Sequence, residues 1–198
     1  MSVPMPMPSP DHGPVCSSGD VAIRLLREDD ADLSLIAGWL SDDRVLEWYG
    51  GRDHPVDLAA AYAEYAPSVQ LAEGVCPGIA LLRGEPVGYV QWYLVGDEPE
   101  YGLDDDDLTD TWALDLFIGR PELWGTGVGS RVVRLIVDHL LVARGARRVV
   151  IDPRVANHRA IAAYEKCGFR TVRVLPRHEL HEGVRDDALL MELLAAPG

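Results

Sequence analysis

The sequence has few cysteines and lacks long apolar runs. Its three cysteines, Cys16, Cys76 and Cys167, are odd in number and widely spaced, which argues against a disulfide framework and a paired metal-ligand motif. No run of about 18 consecutive apolar residues is present, so a membrane-spanning helix is not predicted. The N-terminal stretch has neither a basic segment nor an apolar core, so no signal peptide is predicted either. We therefore expect a soluble, cytoplasmic protein.

Positive charge is also scarce. Acidic residues outnumber Lys and Arg by 32 to 18, and the formal net charge is -14. Nucleic acids and anionic membranes require a basic surface, so neither is an expected partner. The six histidines form no set spaced for metal binding, and no metal is expected. The charge favours a cationic small molecule as the partner.

The chain is long enough to bury one sizeable core, since it has 198 residues of which 47% are hydrophobic. Residues 1–20 are rich in proline and small polar residues, and we expect a disordered N-terminal tail there. Residues 21–198 are expected to form a single domain. We expect the protein to be a monomer or a weak homodimer.

Hydrophobic patterning predicts strands and helices in mixed order. A strand begins at Val21, and a central hairpin is predicted around a turn at Arg83 to Glu85. A helix from Asp57 to Tyr65 is predicted to end before Pro67. Hairpins combined with strand-helix-strand units favour an α+β (α/β mixed) fold. We expect a central mixed sheet of six to seven strands, flanked by helices on both faces.

Three glycines, Gly125, Gly127 and Gly129, alternate with other residues between an apolar strand and a helix. Glycines let backbone N–H groups surround an anion, and the start of a helix adds partial positive charge. The spacing matches neither a P-loop nor a dinucleotide fingerprint. Taken alone, the pattern fits a tight turn and a phosphate site about equally well.

The strand before these glycines carries a single acid, Asp115, among apolar residues. Alternation places Asp115 on the same face as Ala113 and Phe117. Burying an unpaired carboxylate is costly. Asp115 therefore needs either a partner, such as a core arginine, or a chemical role.

The strand and glycine loop resemble motif A of the GNAT superfamily of N-acetyltransferases. The segment NHRAIAAYEKCGF, from Asn157 to Phe169, resembles motif B and follows at the superfamily's separation. The resemblance implies the GNAT fold and a glycine loop that holds the pyrophosphate of acetyl-CoA. Trp124 departs from the glutamine or arginine usual at its position. The implied cofactor-binding residues are Phe117, Ile118, Trp124, Gly125, Thr126, Gly127, Val128, Gly129, Ser130 and Asn157.

Further segments, among them LEWYGG, GEPVGYVQWY and DPRVANHRAIAAYEKCGF, resemble the aminoglycoside 6′-N-acetyltransferases. Such enzymes acetylate a primary amine of a polycationic antibiotic, which causes resistance, and an acidic protein suits that substrate. The resemblance implies Asp115 as the base and Tyr164 as the acid that protonates the CoA thiolate, in a direct transfer. The implied substrate-binding residues are Trp48, Tyr49, Tyr65, Glu100, Asp115 and Asp152.

Structural explanations remain open for these residues. Tyr164 is also explained as a core aromatic, Asp152 as a turn residue before Pro153, and Trp48 and its neighbours as core packing. Residues 97–110 contain eight acids, most of which are also explained as keeping a loop soluble. The alternative functions are a siderophore-type lysine N-acyltransferase, a protein amine N-acetyltransferase, and a domain that binds CoA or a drug without turnover.

Overall fold

The computed structural model describes residues 13–69, 75–96, 101 and 108–196. The strands in these ranges are β1 (Cys16–Ser18), β2 (Val21–Leu25), β3 (Val75–Leu82), β4 (Glu85–Leu94), β5 (Thr111–Ile118), β6 (Arg148–Ile151), β7 (Arg170–His181) and β8 (Val184–Leu194). The α-helices are α1 (Asp30–Trp39), α2 (Asp43–Leu46), α3 (Leu58–Val69), α4 (Val128–Ala143) and α5 (His158–Lys166). No helix in the described ranges is long and apolar enough to cross a membrane.

The eight strands join one sheet in the order β1-β2-β3-β4-β5-β6-β8-β7. Neighbouring strands are antiparallel except β5 and β6, which run parallel. The predicted α+β class and mixed sheet are therefore confirmed. The predicted hairpin of β3 and β4 is also confirmed, and Arg83 and Gly84 at its turn have φ of 54° and 83°, as a tight two-residue hairpin turn requires.

The strand count is one higher than the predicted maximum because β1 lies inside the stretch expected to be a disordered tail. That expectation is wrong for Cys16–Ser18. Cys16 pairs with Ile23 of β2, and the Val15 N–H donates to the Ile23 carbonyl at 2.7 Å. Pairing with a neighbouring strand satisfies backbone groups whatever the side chains are, so composition does not reveal it. Residues 1–12 lie outside the described residues.

Helices cover both faces of the sheet, as predicted. Side chains of α4 and Tyr164 of α5 pack in one hydrophobic cluster with Trp112 and Leu114 of β5. Side chains of α1 and α3 pack in a second cluster with Phe117 of the same strand. The period-two alternation of β5 therefore divides its side chains between two cores.

Helix α3 continues through Pro67, so the prediction that it ends before this proline is wrong. A proline lacks the N–H that bonds one turn back and thereby removes one helical hydrogen bond. Only Ser68 and Val69 follow Pro67 in α3, and the neighbouring Tyr65 and Ala66 are buried. The burial of Tyr65 and Ala66 compensates for the one backbone hydrogen bond that is lost in the last turn of α3.

Strands β5 and β6 separate partway along their length. Their pairing runs from Thr111 with Arg148 to Ala113 with Val150. On its other side, β5 stays paired with β4 as far as Ile118. The backbone of residues 114–118 therefore faces a gap instead of β6. This gap lies at the carboxyl end of β5, next to the glycine loop.

Candidate active site

The glycine loop joins β5 to α4 and lines open space. Gly125 and Gly127 have φ of 75° and 87°, in the left-handed region that glycine adopts without strain. Gly127 is also the N-cap of α4, so the loop leads directly into the helix. No neighbouring atom lies within 4 Å of where a β-carbon would stand at either glycine. The backbone N–H groups at Gly125 and Gly127 and the positive end of α4 suit a phosphate group.

A cleft of about 570 Å³, the glycine-loop cleft, lies between α4, α5 and the unpaired end of β5. It brings together most of the residues expected to bind the cofactor, namely Phe117, Ile118, Trp124, Gly125, Gly127, Gly129, Ser130 and Asn157. Thr126 and Val128 do not line it. The Thr126 hydroxyl donates to the Leu123 carbonyl at 2.6 Å, and Val128 is buried in the core. The Thr126 N–H also bonds the Leu123 carbonyl, at 3.3 Å, so the side chain and the N–H of this residue both serve the loop itself.

Trp124, the departure from the usual motif, supports the glycine loop in another way. Its indole N–H donates to the Ile118 carbonyl at 2.8 Å, which fastens the loop to the end of β5. The Arg159 guanidinium lies 3.9 Å from the centroid of the Trp124 ring, a distance typical of a cation–π contact. Helix α5 thus supplies a cation beside the position where the motif often carries an arginine.

Asn157 is the N-cap of α5. Its side-chain oxygen accepts a hydrogen bond from the Ala160 N–H at 3.1 Å, which satisfies a backbone donor of the first turn. Asn157 also lines the glycine-loop cleft, and its amide nitrogen donates to no other described residue. The capping role and a contact with a ligand can therefore coexist.

A second cleft of about 460 Å³, the acidic cleft, adjoins the first. The residues that line both clefts are Trp48, Leu116, Asn157 and Tyr164. The acidic side chains in the wall of the second cleft are Asp115, Asp152 and Glu179, and Tyr49 lies beside them. The structure therefore brings together the predicted residues Trp48, Tyr49, Asp115, Asp152 and Tyr164. No group of three or more His, Cys, Asp or Glu side chains in the described ranges is placed to hold a metal ion.

Asp115 is hydrogen-bonded to neutral groups in the acidic cleft. Gln91 Nε2 donates to Asp115 Oδ2 at 2.8 Å, and the Tyr93 hydroxyl also bonds this carboxylate. Burial raises the pKa of Asp115 to about 6, and the negative charge of Asp152 adds to the rise. Among the described residues no arginine pairs with Asp115, so the alternative of a structural ion pair is not what is found. A carboxylate with this pKa can take up and release a proton near neutral pH.

A chain of polar contacts links Asp115 to Asp152. The hydroxyls of Tyr93 and Tyr101 lie 3.3 Å apart, and the Tyr101 hydroxyl donates to Asp152 Oδ1 at 3.5 Å. His178 Nε2 lies 3.0 Å from Asp152 Oδ2. Asp152 is therefore tied to two side chains that come from distant parts of the sequence.

Four polar residues of this site were not predicted from the sequence, namely Gln91, Tyr93, Tyr101 and His178. Gln91 and Tyr93 could have been predicted from the strand pairing. Gln91 pairs with Asp115 across β4 and β5, and Tyr93 follows on the same face of β4. Knowing which strands pair would have found them. His178 lies in β7 at the edge of the sheet, within a register irregularity between Leu175 and Glu179, and lines the acidic cleft. No sequence signal indicates its contact with Asp152.

Tyr164 is buried and borders both clefts. Burial raises the pKa of its phenol well above the ordinary range, and the charges of Asp115 and Asp152 raise it further. Its ring also packs against Phe169, with ring centroids 6.1 Å apart. Tyr164 thus combines a core position with a phenol that remains protonated at neutral pH.

Tyr65, which was predicted to bind substrate, does not line the acidic cleft. Tyr65 is buried in the core, where its ring packs edge-on to Tyr89 at 5.3 Å and its hydroxyl bonds Tyr49. It supports the cleft wall from behind, so a direct contact is not what its position favours. Glu100 lies outside the described residues.

Comparison with known proteins identifies the family. Residues 28–176 match the model of the acetyltransferase (GNAT) domain. This chain belongs to the GNAT acetyltransferase family. An aminoglycoside N(6')-acetyltransferase type 1 from Klebsiella pneumoniae is 33% identical to this GNAT chain over 153 residues, which cover 77% of it and 75% of the relative.

Solved structures agree with this assignment to the GNAT family. One is AAC(6')-Ib in complex with ribostamycin and coenzyme A, which has a TM-score of 0.71 and 30% sequence identity. Another is aminoglycoside acetyltransferase AAC(6')-Ib in complex with coenzyme A and kanamycin, with a TM-score of 0.70 and 29% identity. The first match covers 89% of this chain and 94% of the other chain, and the second covers 88% and 94%.

Proposed function

We propose that this GNAT protein transfers the acetyl group of acetyl-CoA to the 6′-amine of an aminoglycoside antibiotic, and that the reaction confers resistance in the cytoplasm. The proposal rests chiefly on the junction of two clefts, one suited to a phosphate-bearing ligand and the other to a cation. Tyr164 lines both clefts and Asp115 lines the second. The identity to aminoglycoside acetyltransferases supports the choice of substrate.

The glycine-loop cleft fits acetyl-CoA. The backbone N–H groups at Gly125, Gly127 and the start of α4 would hold the pyrophosphate. The unpaired backbone of residues 114–118 would bond the pantetheine arm, together with the amide of Asn157. When bound, acetyl-CoA supplies the thioester that is attacked.

Asp115 would act as the base. An aliphatic amine is mostly protonated at neutral pH, and only its neutral form attacks a carbonyl carbon. With a pKa of about 6, the Asp115 carboxylate is ionised in most molecules above pH 7. It can orient the ammonium group and accept its proton, either directly or through a water molecule.

Tyr164 would act as the acid. Its buried phenol keeps its proton at neutral pH because burial raises its pKa. It stands at the border of the two clefts, where it can donate that proton to the departing thiolate sulfur. Cys167 is unsuited to carry an acyl group, since burial raises the pKa of its thiol and its Sγ donates to the Ser130 carbonyl. We therefore favour direct transfer.

Asp152, Trp48 and Tyr49 would hold the rest of the drug. Asp152 offers negative charge beside His178, and the two rings can stack on sugar faces or attract ammonium groups. The acidic surface as a whole would favour the approach of a polycation.

A thiol-release assay with acetyl-CoA and matched drugs tests the proposal. Neomycin and paromomycin differ only at the 6′ position, where the first carries an amine and the second a hydroxyl. We expect turnover with neomycin and kanamycin and none with paromomycin. Equal turnover with both members of the pair would overturn the 6′ assignment. Turnover with a lysine derivative and with no aminoglycoside would favour the lysine or protein N-acyltransferase alternatives.

A further inference from the structure

Two arginines and two tryptophans form a continuous series of contacts at the border of the two clefts. The guanidinium groups of Arg154 and Arg159 lie 5.5 and 5.7 Å from the centroid of the Trp48 ring. Arg159 also lies 3.9 Å from the centroid of the Trp124 ring. We name this series, Arg154, Trp48, Arg159 and Trp124, the indole–guanidinium chain.

Both ends of the indole–guanidinium chain are anchored. Arg154 is buried, donates to the Glu47 carbonyl, and pairs with Asp186 at 3.0 Å. Trp124 donates to the Ile118 carbonyl at the end of β5. The middle member, Arg159, has no carboxylate within salt-bridge distance in the described part of the chain. Its placement over the rings of Trp48 and Trp124 is therefore its principal contact.

The position of Trp48 makes this arrangement relevant to both substrates. Trp48 lines both clefts, whereas Arg154 lines only the acidic cleft and Trp124 only the glycine-loop cleft. Arg159 projects from the first turn of α5 across the glycine-loop cleft to the loop itself. A planar guanidinium between two rings fixes their separation, which a compact ammonium does less well.

We propose that Arg159 is a positioning residue that holds Trp48 and Trp124 in place and thereby couples the acetyl-CoA cleft to the wall of the amine cleft. The inference rests on the proposed function for the identity of the amine. It differs from a simple phosphate-binding role, because Arg159 then acts through the Trp48 ring as well as on the cofactor side. The positive charge of Arg159 alone is not sufficient for this positioning role, which also requires the planar guanidinium.

Steady-state kinetics of single and double variants test this role. Arg159→Ala should raise the KM for the amine and the KM for acetyl-CoA, each roughly five-fold, which is the size expected for the loss of one cation–π contact. The kcat at saturation should stay near that of the unsubstituted enzyme, because positioning of bound ligands is affected more than the chemical step. Arg159→Lys should not restore the amine KM, although it restores the charge.

A double-variant cycle distinguishes a role of Arg159 that acts through Trp48 from a role in cofactor binding alone. If Arg159 acts through Trp48, Arg159→Ala should have no further effect on the amine KM in a Trp48→Ala background. Trp48→Leu serves as a second background if the alanine variant does not fold. Arg27→Ala, at an exposed arginine that lines neither cleft, should leave all constants unchanged. An unchanged amine KM in Arg159→Ala, full rescue by lysine, or persistence of the amine effect without Trp48 would overturn the inference.

The proposed function fails separately, when the unsubstituted enzyme does not acetylate the drugs. In that case the KM values of the variants and of the unsubstituted enzyme are compared with the amine that the enzyme does use. If it uses none, acetyl-CoA affinity is measured by calorimetry. Equal affinity of the unsubstituted enzyme and Arg159→Ala would then refute the coupling, as would a weakening that persists in a Trp48→Ala background. Roughly five-fold weaker binding in Arg159→Ala that is lost in the Trp48→Ala background would support it.

Discussion

At the scale of single residues, the environment of Asp115 affects both the proposed chemistry of the site and the stability of the folded protein. The carboxylate is bonded by Gln91 and Tyr93, which are both neutral, and burial raises its pKa to about 6. The same environment that makes it a useful base near neutral pH makes its ionised form unfavourable in the folded protein. Activity and stability should therefore respond in opposite directions to its replacement.

We predict that Asp115→Asn lowers kcat/KM for the amine by roughly 100-fold or more, as the loss of a general base does. In the unsubstituted enzyme, kcat/KM should rise with pH through about 6 as Asp115 loses its proton. The variant should lose this acidic limb. The measurement is the pH profile of thiol release. An unchanged profile with full activity would remove Asp115 from the role of base.

We also predict that Asp115→Asn is the more stable protein at pH 8. Because the pKa of Asp115 is raised from 3.8 to about 6 in the folded state, its contribution to stability is greatest below 3.8 and is lost as the pH rises through 6. Asparagine avoids the buried charge, so the free energy of unfolding should increase by about 1–3 kcal/mol at pH 8, and by less at pH 5.

Denaturant unfolding at the two pH values measures this difference. Asp138→Asn, at an exposed position on α4, serves as the matched control and should change stability little at either pH. A destabilised Asp115→Asn at pH 8 would mean that the bonds from Gln91 and Tyr93 outweigh the cost of burial.

At the scale of elements, the site depends on where β5 loses its parallel neighbour. The glycine loop, the edge of residues 114–118 that is not paired with β6 and the start of α4 all lie at this point. Helix α5 covers it and contributes Asn157, Arg159 and Tyr164. The local sequence predicts each of these elements, since their caps and alternation are local features.

We predict that Gly127→Ala raises the KM for acetyl-CoA and destabilises the protein by about 1–2 kcal/mol, because alanine is strained in the left-handed region. Gly84→Ala is the matched control. Its φ of 83° is close to the 87° of Gly127, and both positions have open space around them. Both variants should lose similar stability, whereas only Gly127→Ala should affect acetyl-CoA. Denaturant unfolding and steady-state kinetics distinguish the two effects.

At the scale of the whole molecule, charge should govern the approach of the substrate. The net charge of -14 attracts a polycation over distances that salt screens. We predict that the KM for the aminoglycoside rises steadily as ionic strength increases from about 0.02 to 0.5 M, over which the Debye length falls several-fold. The KM for acetyl-CoA, an anion, should not rise in parallel. A parallel rise would indicate general inhibition by salt instead of the loss of attraction.

The alternation of β5, the glycine loop and the acidic balance follow from the sequence alone. These features depend on residues close together in the chain, and hydrophobic patterning was sufficient to predict the mixed sheet. The cofactor-binding residues of the glycine-loop cleft were predicted from the resemblance to GNAT motifs A and B, because the glycine pattern alone fits a tight turn equally well. The fold, in contrast, brings β1 into the sheet and places Tyr65 behind the cleft wall. It also brings His178 to Asp152 and places the Arg159 guanidinium over the rings of Trp48 and Trp124. These contacts join residues far apart in the chain, and no local pattern encodes which distant segments pack together.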